Sequence, residues 1–130
     1  MSLAQVKVYR LIPHTSDLEV LVEADSFEEL VKESVVAVTE AVAGNVQGHE
    51  KRKFSVDGDH EEMLMKVLEE VVYLQSAEQF YVREARVRGN GRLEVELIGG
   101  RANARDEIKA VTWHEFWVKP GWKAHFICDL

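Results

Sequence analysis

Two polar segments of the sequence hold side chains whose types and spacing could do chemistry. The first covers residues 13–17, between two apolar stretches, and carries His14, two hydroxyls and Asp17. The second is the end of the sequence, where an apolar stretch leads to Asp129 and then Leu130. The side chain of Asp129 and the main-chain carboxylate of Leu130 would be two hard oxygen donors one residue apart.

These segments can form one site only if the fold brings the two ends of the sequence together. If the last strand lies beside one of the first two strands, Asp17 joins Asp129 and Leu130 in an oxygen-rich cluster. Such a cluster suits Ca²⁺, Mg²⁺ or Mn²⁺. Three clustered carboxylates repel one another without a cation, so we expect a divalent metal ion at this position.

Purely structural roles remain open for each of these residues. His14 could stabilise a turn through a hydrogen bond to the backbone, and Asp17 could satisfy the same turn. Lys109 is expected to lie on one strand face with Val111, Trp113 and Trp117. Its side chain could simply extend past this aromatic surface to solvent.

The elements that must position these residues follow from changes in hydrophobic period. Two helices are predicted, starting at Ser26 and Asp59, because each of these capping residues has a glutamate three positions later and an apolar stripe after it. Gly44 should stop the first helix, and the second should end within residues 75–78. Alternating residues predict strands over residues 6–12, 18–22, 53–56, 107–119 and 122–130.

Two further strands flank Asn90 and Gly91, a pair that predicts a type I′ hairpin. Residues 98–106, which include Gly99 and Gly100, are expected to form a loop. The resulting order is β-β-α-β-α-β-β-β-β. Two helices among mostly antiparallel strands indicate an α+β fold, in one domain over residues 1–130.

Composition narrows the class of protein. The 130 residues are 46% hydrophobic and 30% charged, as in a compact globular domain. A net charge of -7 argues against direct binding to DNA or to an anionic membrane, and Arg83, Arg86, Arg88 and Arg92 are interpreted as a solvated face. A single cysteine, Cys128, excludes an intrachain disulfide. We expect a cytoplasmic protein without a signal peptide or membrane-spanning segment.

Three segments of the sequence resemble the archease family. They are His-Thr-Ser-Asp at 14–17, Ile-Lys-Ala-Val-Thr-Trp-His at 108–114, and the stretch from Trp122 to Asp129 and Leu130. Archeases are small accessory proteins of RtcB-type RNA ligase, which joins tRNA halves after intron removal. The resemblance implies an SHS2-like fold of the strand-helix-strand-strand type. The sequence departs from the family pattern at Ser16, where alanine is usual, and over residues 99–107, where archeases have a longer loop.

The resemblance also implies a function and a site. The protein would be a non-catalytic activator that promotes guanylylation of the ligase's active-site histidine and multiple turnover. Asp17, Asp129 and Leu130 would bind the metal ion, with calcium the first choice and magnesium or manganese as alternatives. His14 and Lys109 match the remaining polar positions and would assist, because a cation near a phosphate stabilises charge during nucleotidyl transfer.

Two other functions are compatible with the residues. The protein could itself be a metal-dependent phosphoester or nucleotide enzyme, with His14 as the base that activates water. It could instead be a chaperone-like interaction module that binds a partner through Trp113, Trp117 and Trp122.

Overall fold

The structure, a computed structural model, describes the main chain of residues 6–12 and 17–130 and the side chains of residues 17–130. The described residues form the nine elements in the predicted order. They are β1 (Val6–Ile12), β2 (Asp17–Glu23), α1 (Phe27–Val42), β3 (Gln47–Val56), α2 (His60–Glu78), β4 (Tyr81–Gly89), β5 (Leu93–Arg101), β6 (Ala110–Lys119) and β7 (Lys123–Asp129).

Both helices begin at the predicted capping residues. Ser26 Oγ accepts a hydrogen bond from Glu29 N at 3.1 Å at the start of α1. In α2 the capping box is complete, because Asp59 Oδ1 accepts from Glu62 N at 2.8 Å and Glu62 Oε1 accepts from Asp59 N at 3.2 Å. The hydrogen bond from Glu62 N holds the pKa of Asp59 below its usual value. Helix α1 ends at Val42 with Ala43 as its C-cap, directly before the predicted stop at Gly44.

The strands form two antiparallel sheets, with strand orders β1-β2-β7-β6 and β3-β5-β4. Helix α1 packs on β4 and β2, and α2 packs on β6. The core lies between the helices and the inner faces of the sheets; its largest fully buried side chains include Phe80, Phe126, Leu30, Leu64, Met65 and Leu68. In the described part of the chain, no helix is long and apolar enough to cross a membrane.

The last strand lies in the interior of the four-stranded sheet, between β2 and β6. In β2, the buried Leu18, Val20 and Val22 alternate with more exposed residues that face away from the core. Asp17 therefore belongs to the outer face, at the end of the strand.

The hairpin between β4 and β5 differs from the predicted type. Gly89 pairs with Leu93, which leaves a loop of three residues, 90–92. Of these three, only Gly91 has a positive φ, 71°. A type I′ turn requires positive φ at both central residues, so that prediction was wrong.

Strand β5 continues through residues 98–101, which the sequence predicted as loop. A Cβ atom at Gly99 would collide with the carbonyl oxygen of Tyr81, and one at Gly100 with that of Gln47. The two glycines therefore let β4 and β3 approach β5 closely at the bulges of the sheet. Gly99 and Gly100 are therefore required by close contact between strand backbones, and they do not indicate a loop.

Strand β6 contains a wide bulge that the sequence did not predict. Thr112 pairs with Ile127 and Trp117 with His125, so the four residues between Thr112 and Trp117 face a single residue of β7. Val111 pairs with the buried Cys128, whereas Trp117 pairs with a residue of the outer face. Val111 and Trp117 thus lie on opposite faces, and the expectation that they share one was wrong. The strand itself begins at Ala110, so Lys109 precedes it.

Candidate functional site

Asp17 and Asp129 are direct partners in the register between β2 and β7. Residues opposite each other on antiparallel strands point to the same face, with Cβ atoms roughly 4.5–5.5 Å apart. The Asp17 side chain is half-buried, and that of Asp129 is exposed. The fold therefore places carboxylates from opposite ends of the chain side by side.

Lys109 and Leu130 lie at the same end of this sheet. The main-chain N–H of Lys109 donates to the carbonyl oxygen of Asp129 at 2.8 Å, and the next residue, Ala110, pairs with Asp129. Leu130 follows Asp129 directly and is half-buried, while the Lys109 side chain is exposed. Four of the five residues singled out from the sequence are thus brought to one end of the sheet. His14, the fifth, lies outside the described residues.

Asp17 and Asp129 bring two acidic side chains to this end of the sheet. Along the same strands, Lys123 forms an ion pair with Glu23 at 3.5 Å, and His125 Nε2 lies within hydrogen-bond distance of Glu19 Oε2 at 2.9 Å. Within the described ranges, no ion pair involves Asp17 or Asp129. Like charges directly across an antiparallel pair are destabilising, so this arrangement favours a bound cation.

The donor set fits a hard cation. Carboxylate oxygens are the preferred ligands of Ca²⁺, Mg²⁺ and Mn²⁺. Cys128 is not a candidate ligand, because burial, reinforced by the charge of Asp129, raises the pKa of its thiol to about 12. Among the described residues, no group of three His, Cys, Asp or Glu side chains is placed to hold a metal ion. Asp17 and Asp129 would therefore need further ligands to hold a metal ion.

A histidine that the sequence did not single out has a defined structural role. The ring of His125 contacts Glu115 O through Nδ1 at 2.6 Å and Glu19 Oε2 through Nε2 at 2.9 Å, and it stacks on Trp117. It thereby links the bulge of β6 to β2. Its partners are 10 and 106 residues away in sequence, so no local pattern could have indicated this contact.

The three tryptophans have separate surroundings. Trp113, in the bulge, is 58% exposed and contacts Phe116 edge-on. Trp117 stacks on His125, as described above. Trp122 packs in the turn before β7 against Phe27 and His60. Trp113 is the large exposed ring of this set.

Comparison with known proteins identifies the family. The model of the archease protein family (MTH1598/TM1083) matches residues 9–130. The chain belongs to the archease family. Archeases of Methanosarcina barkeri and Archaeoglobus fulgidus are 25% and 29% identical to it, over 98% and 94% of this chain and 99% and 98% of their own. The resemblance inferred from the three sequence segments is therefore confirmed.

Solved archease-family structures share the fold. The solution structure of a protein of Methanobacterium thermoautotrophicum superposes with a TM-score of 0.67 at 21% identity, covering 94% of this chain and 98% of the other. The crystal structure of a Thermotoga maritima archease, described as a possible chaperone, gives a TM-score of 0.64 at 19% identity, covering 93% and 96%. These similarities confirm the predicted α+β architecture.

Proposed function

We propose that this archease is a cytoplasmic, non-catalytic activator of an RtcB-type RNA ligase in tRNA splicing. It promotes guanylylation of the ligase's active-site histidine, so that the ligase turns over repeatedly. It acts on the tRNA halves only indirectly, through the ligase. Family membership supports this proposal, and the observation that carries the site assignment is the direct pairing of Asp17 with Asp129.

Each residue of the cluster has a role in this proposal. Asp17, Asp129 and the main-chain carboxylate of Leu130 hold a divalent cation, first of all Ca²⁺, with Mg²⁺ or Mn²⁺ as alternatives. A bound cation would supply positive charge for phosphate oxygens of the nucleotide. Lys109, held beside Asp129 by its main-chain hydrogen bond, supplies a second positive charge, and His14 orients phosphate or ligase groups.

The proposal is tested by measuring ligase guanylylation and multiple-turnover ligation with wild-type archease and Asp129→Asn. The substitution keeps the size of the side chain and removes its charge, so stimulation should fall at least about ten-fold, as expected when a charge acting on phosphate transfer is lost. Glu69→Gln, an exposed charge neutralisation on α2, is the matched control and should stimulate like wild type.

A second variant addresses Leu130 separately. A Gly-Ser extension after Leu130 converts its carboxylate to an amide and should also reduce stimulation. Full stimulation by both Asp129→Asn and the extended protein would reject the site assignment. Consumption of GTP or cleavage of phosphodiesters by purified archease alone would favour an enzyme in its own right.

A chaperone-like interaction module is the second candidate, favoured by the exposed ring of Trp113 and by the description of the Thermotoga protein. In that case Trp113→Ala would abolish partner binding, whereas chelators and Asp17→Asn would leave binding unchanged.

A further inference from the structure

The loop between β4 and β5 contains the only Asn-Gly pair of the sequence, Asn90 and Gly91. Both residues are exposed, at the tip of the hairpin. Gly89 and Leu93 pair on either side of the loop and close it. Exposed loop tips are the parts of a fold where changes to the chain are best tolerated.

An asparagine that precedes a glycine can lose its side-chain amide in water. The main-chain nitrogen of the glycine gives its proton to a base and attacks the side-chain carbonyl carbon of the asparagine. A bond forms between these two atoms, the bond from that carbon to the side-chain nitrogen breaks, and ammonia leaves with a proton taken from solvent. Water then opens the five-membered succinimide ring at either carbonyl, which gives aspartate or isoaspartate. The net reaction consumes one water molecule and releases one ammonia molecule.

The two reacting groups of the loop are available for this reaction. Among residues 17–130, Gly91 N has no hydrogen-bond acceptor and the Asn90 side chain has no hydrogen-bond partner, whereas Asn90 N donates to Arg92 O at 2.7 Å. The attack of Gly91 N on the Asn90 side chain therefore breaks no hydrogen bond made by either group.

The space around Gly91 is open. A Cβ atom added there would meet nothing within 4 Å, and glycine itself has no side chain to shield its nitrogen. The φ of Gly91 is 71°, in the left-handed region that glycine adopts about as readily as the usual one. Glycine can move between these regions, so the loop can reach the backbone geometry that ring closure requires.

The two other asparagines lack this combination of features. Asn45 is followed by Val46, whose branched side chain crowds its own main-chain nitrogen. Asn103 O accepts from Gly44 N at 3.1 Å, and the residue after Asn103 forms a β-bridge with the C-cap residue of α1. The backbone on both sides of the Asn103 side chain is therefore held in place.

We infer that Asn90 is a site of spontaneous deamidation, with water as the co-reactant and aspartate and isoaspartate as the products. The reaction adds one negative charge to the hairpin and, in the isoaspartate product, one methylene group to its main chain. The neighbouring Arg88 and Arg92 pair with Glu94 at 2.8 Å and with Asp57 at 3.5 Å, so neither guanidinium holds the Asn90 amide. The inference goes beyond the proposed function, because the reaction needs neither a ligase nor a metal ion.

The experiment is incubation of the whole protein in buffer at physiological temperature, followed by mass spectrometry of its peptides. The peptide that contains Asn90 should gain the mass difference between an amide and a carboxyl group and separate into two products. One product should accept a methyl group from S-adenosylmethionine in the presence of protein isoaspartate methyltransferase. The gain should be faster at a pH near 9 than at a pH near 7, because a base must remove the proton from Gly91 N.

Two variants test the mechanism. Asn90→Gln is the matched control, because it keeps a side-chain amide whose ring closure would need a six-membered ring. It should gain no mass at this position over the same time. Gly91→Ala places a Cβ atom beside the attacking nitrogen and restricts the backbone, so deamidation should slow at least about ten-fold.

The outcomes decide the inference directly. Mass gain and isoaspartate confined to the Asn90 peptide of wild type would support it. An unchanged Asn90 peptide in wild type would overturn it, and so would an equally fast gain at Asn45 or Asn103, or in the Asn90→Gln protein. The test contains no ligase, so its failure leaves the proposed function untouched.

Discussion

Cys128 and Asp129 are adjacent in β7 and lie in opposite environments. Cys128 faces the core, and burial is the main cause that raises the pKa of its thiol to about 12, with the charge of Asp129 adding to it. Asp129 is exposed on the other face, beside Asp17. Successive side chains of β7 point to opposite faces of the sheet, so the unreactive thiol lies on the face away from the candidate site.

This separation predicts that Cys128 does not react in the folded protein. With a pKa of about 12, only about one thiol in ten thousand is ionised at a pH near 8, so iodoacetamide should label it negligibly. The same protein in denaturing urea should be labelled completely. Asp129→Asn should remain almost unreactive when folded, because burial outweighs the charge. Rapid labelling of the native protein would show that the β7 end is not packed as described.

At the level of secondary-structure elements, short sequence patterns correctly predicted the features that depend on residues close in sequence. The starts of both helices followed from Ser26 and Asp59, whose caps involve residues three positions away. The sequence did not predict the bulge of β6 or the continuation of β5 through residues 98–101. They depend on carbonyl groups and side chains of strands distant in sequence, such as the contact of His125 with Glu115 O.

The β4–β5 hairpin gives a direct test of the turn that the structure shows. Gly91 has a φ of 71°, and a Cβ added there meets nothing within 4 Å, so Gly91→Ala should cost only backbone strain, about 1–2 kcal/mol. Asn90 has no positive φ, so Asn90→Ala should be nearly neutral. Urea denaturation of both variants measures the two costs. Equal and substantial losses would indicate the type I′ turn predicted from the sequence.

At the scale of the whole molecule, the site depends on pairing between the second and the last strand. Asp17 and Asp129 are 112 positions apart in sequence, yet they are register partners. The residue types alone indicated a cation site if these ends met, and only the order β1-β2-β7-β6 brings them together. The expectation that Asp17 and Asp129 lie together came more from the family resemblance than from residue spacing. No local sequence pattern determines which distant strands pair.

The same pairing predicts how calcium affects stability. Two like charges across a strand pair destabilise the metal-free protein, so Asp17→Asn should melt at the same or a slightly higher temperature than wild type without calcium. A ligand at 100 times its dissociation constant stabilises by about 2.7 kcal/mol, or a rise of roughly 10 °C in Tm for a domain of this size. Calcium should therefore raise the Tm of wild type and of Glu69→Gln, and leave that of Asp17→Asn unchanged. Calorimetric scans with calcium and with chelator measure these shifts. An equal rise in all three proteins would place the calcium site elsewhere, since only Asp17→Asn lacks the paired carboxylate.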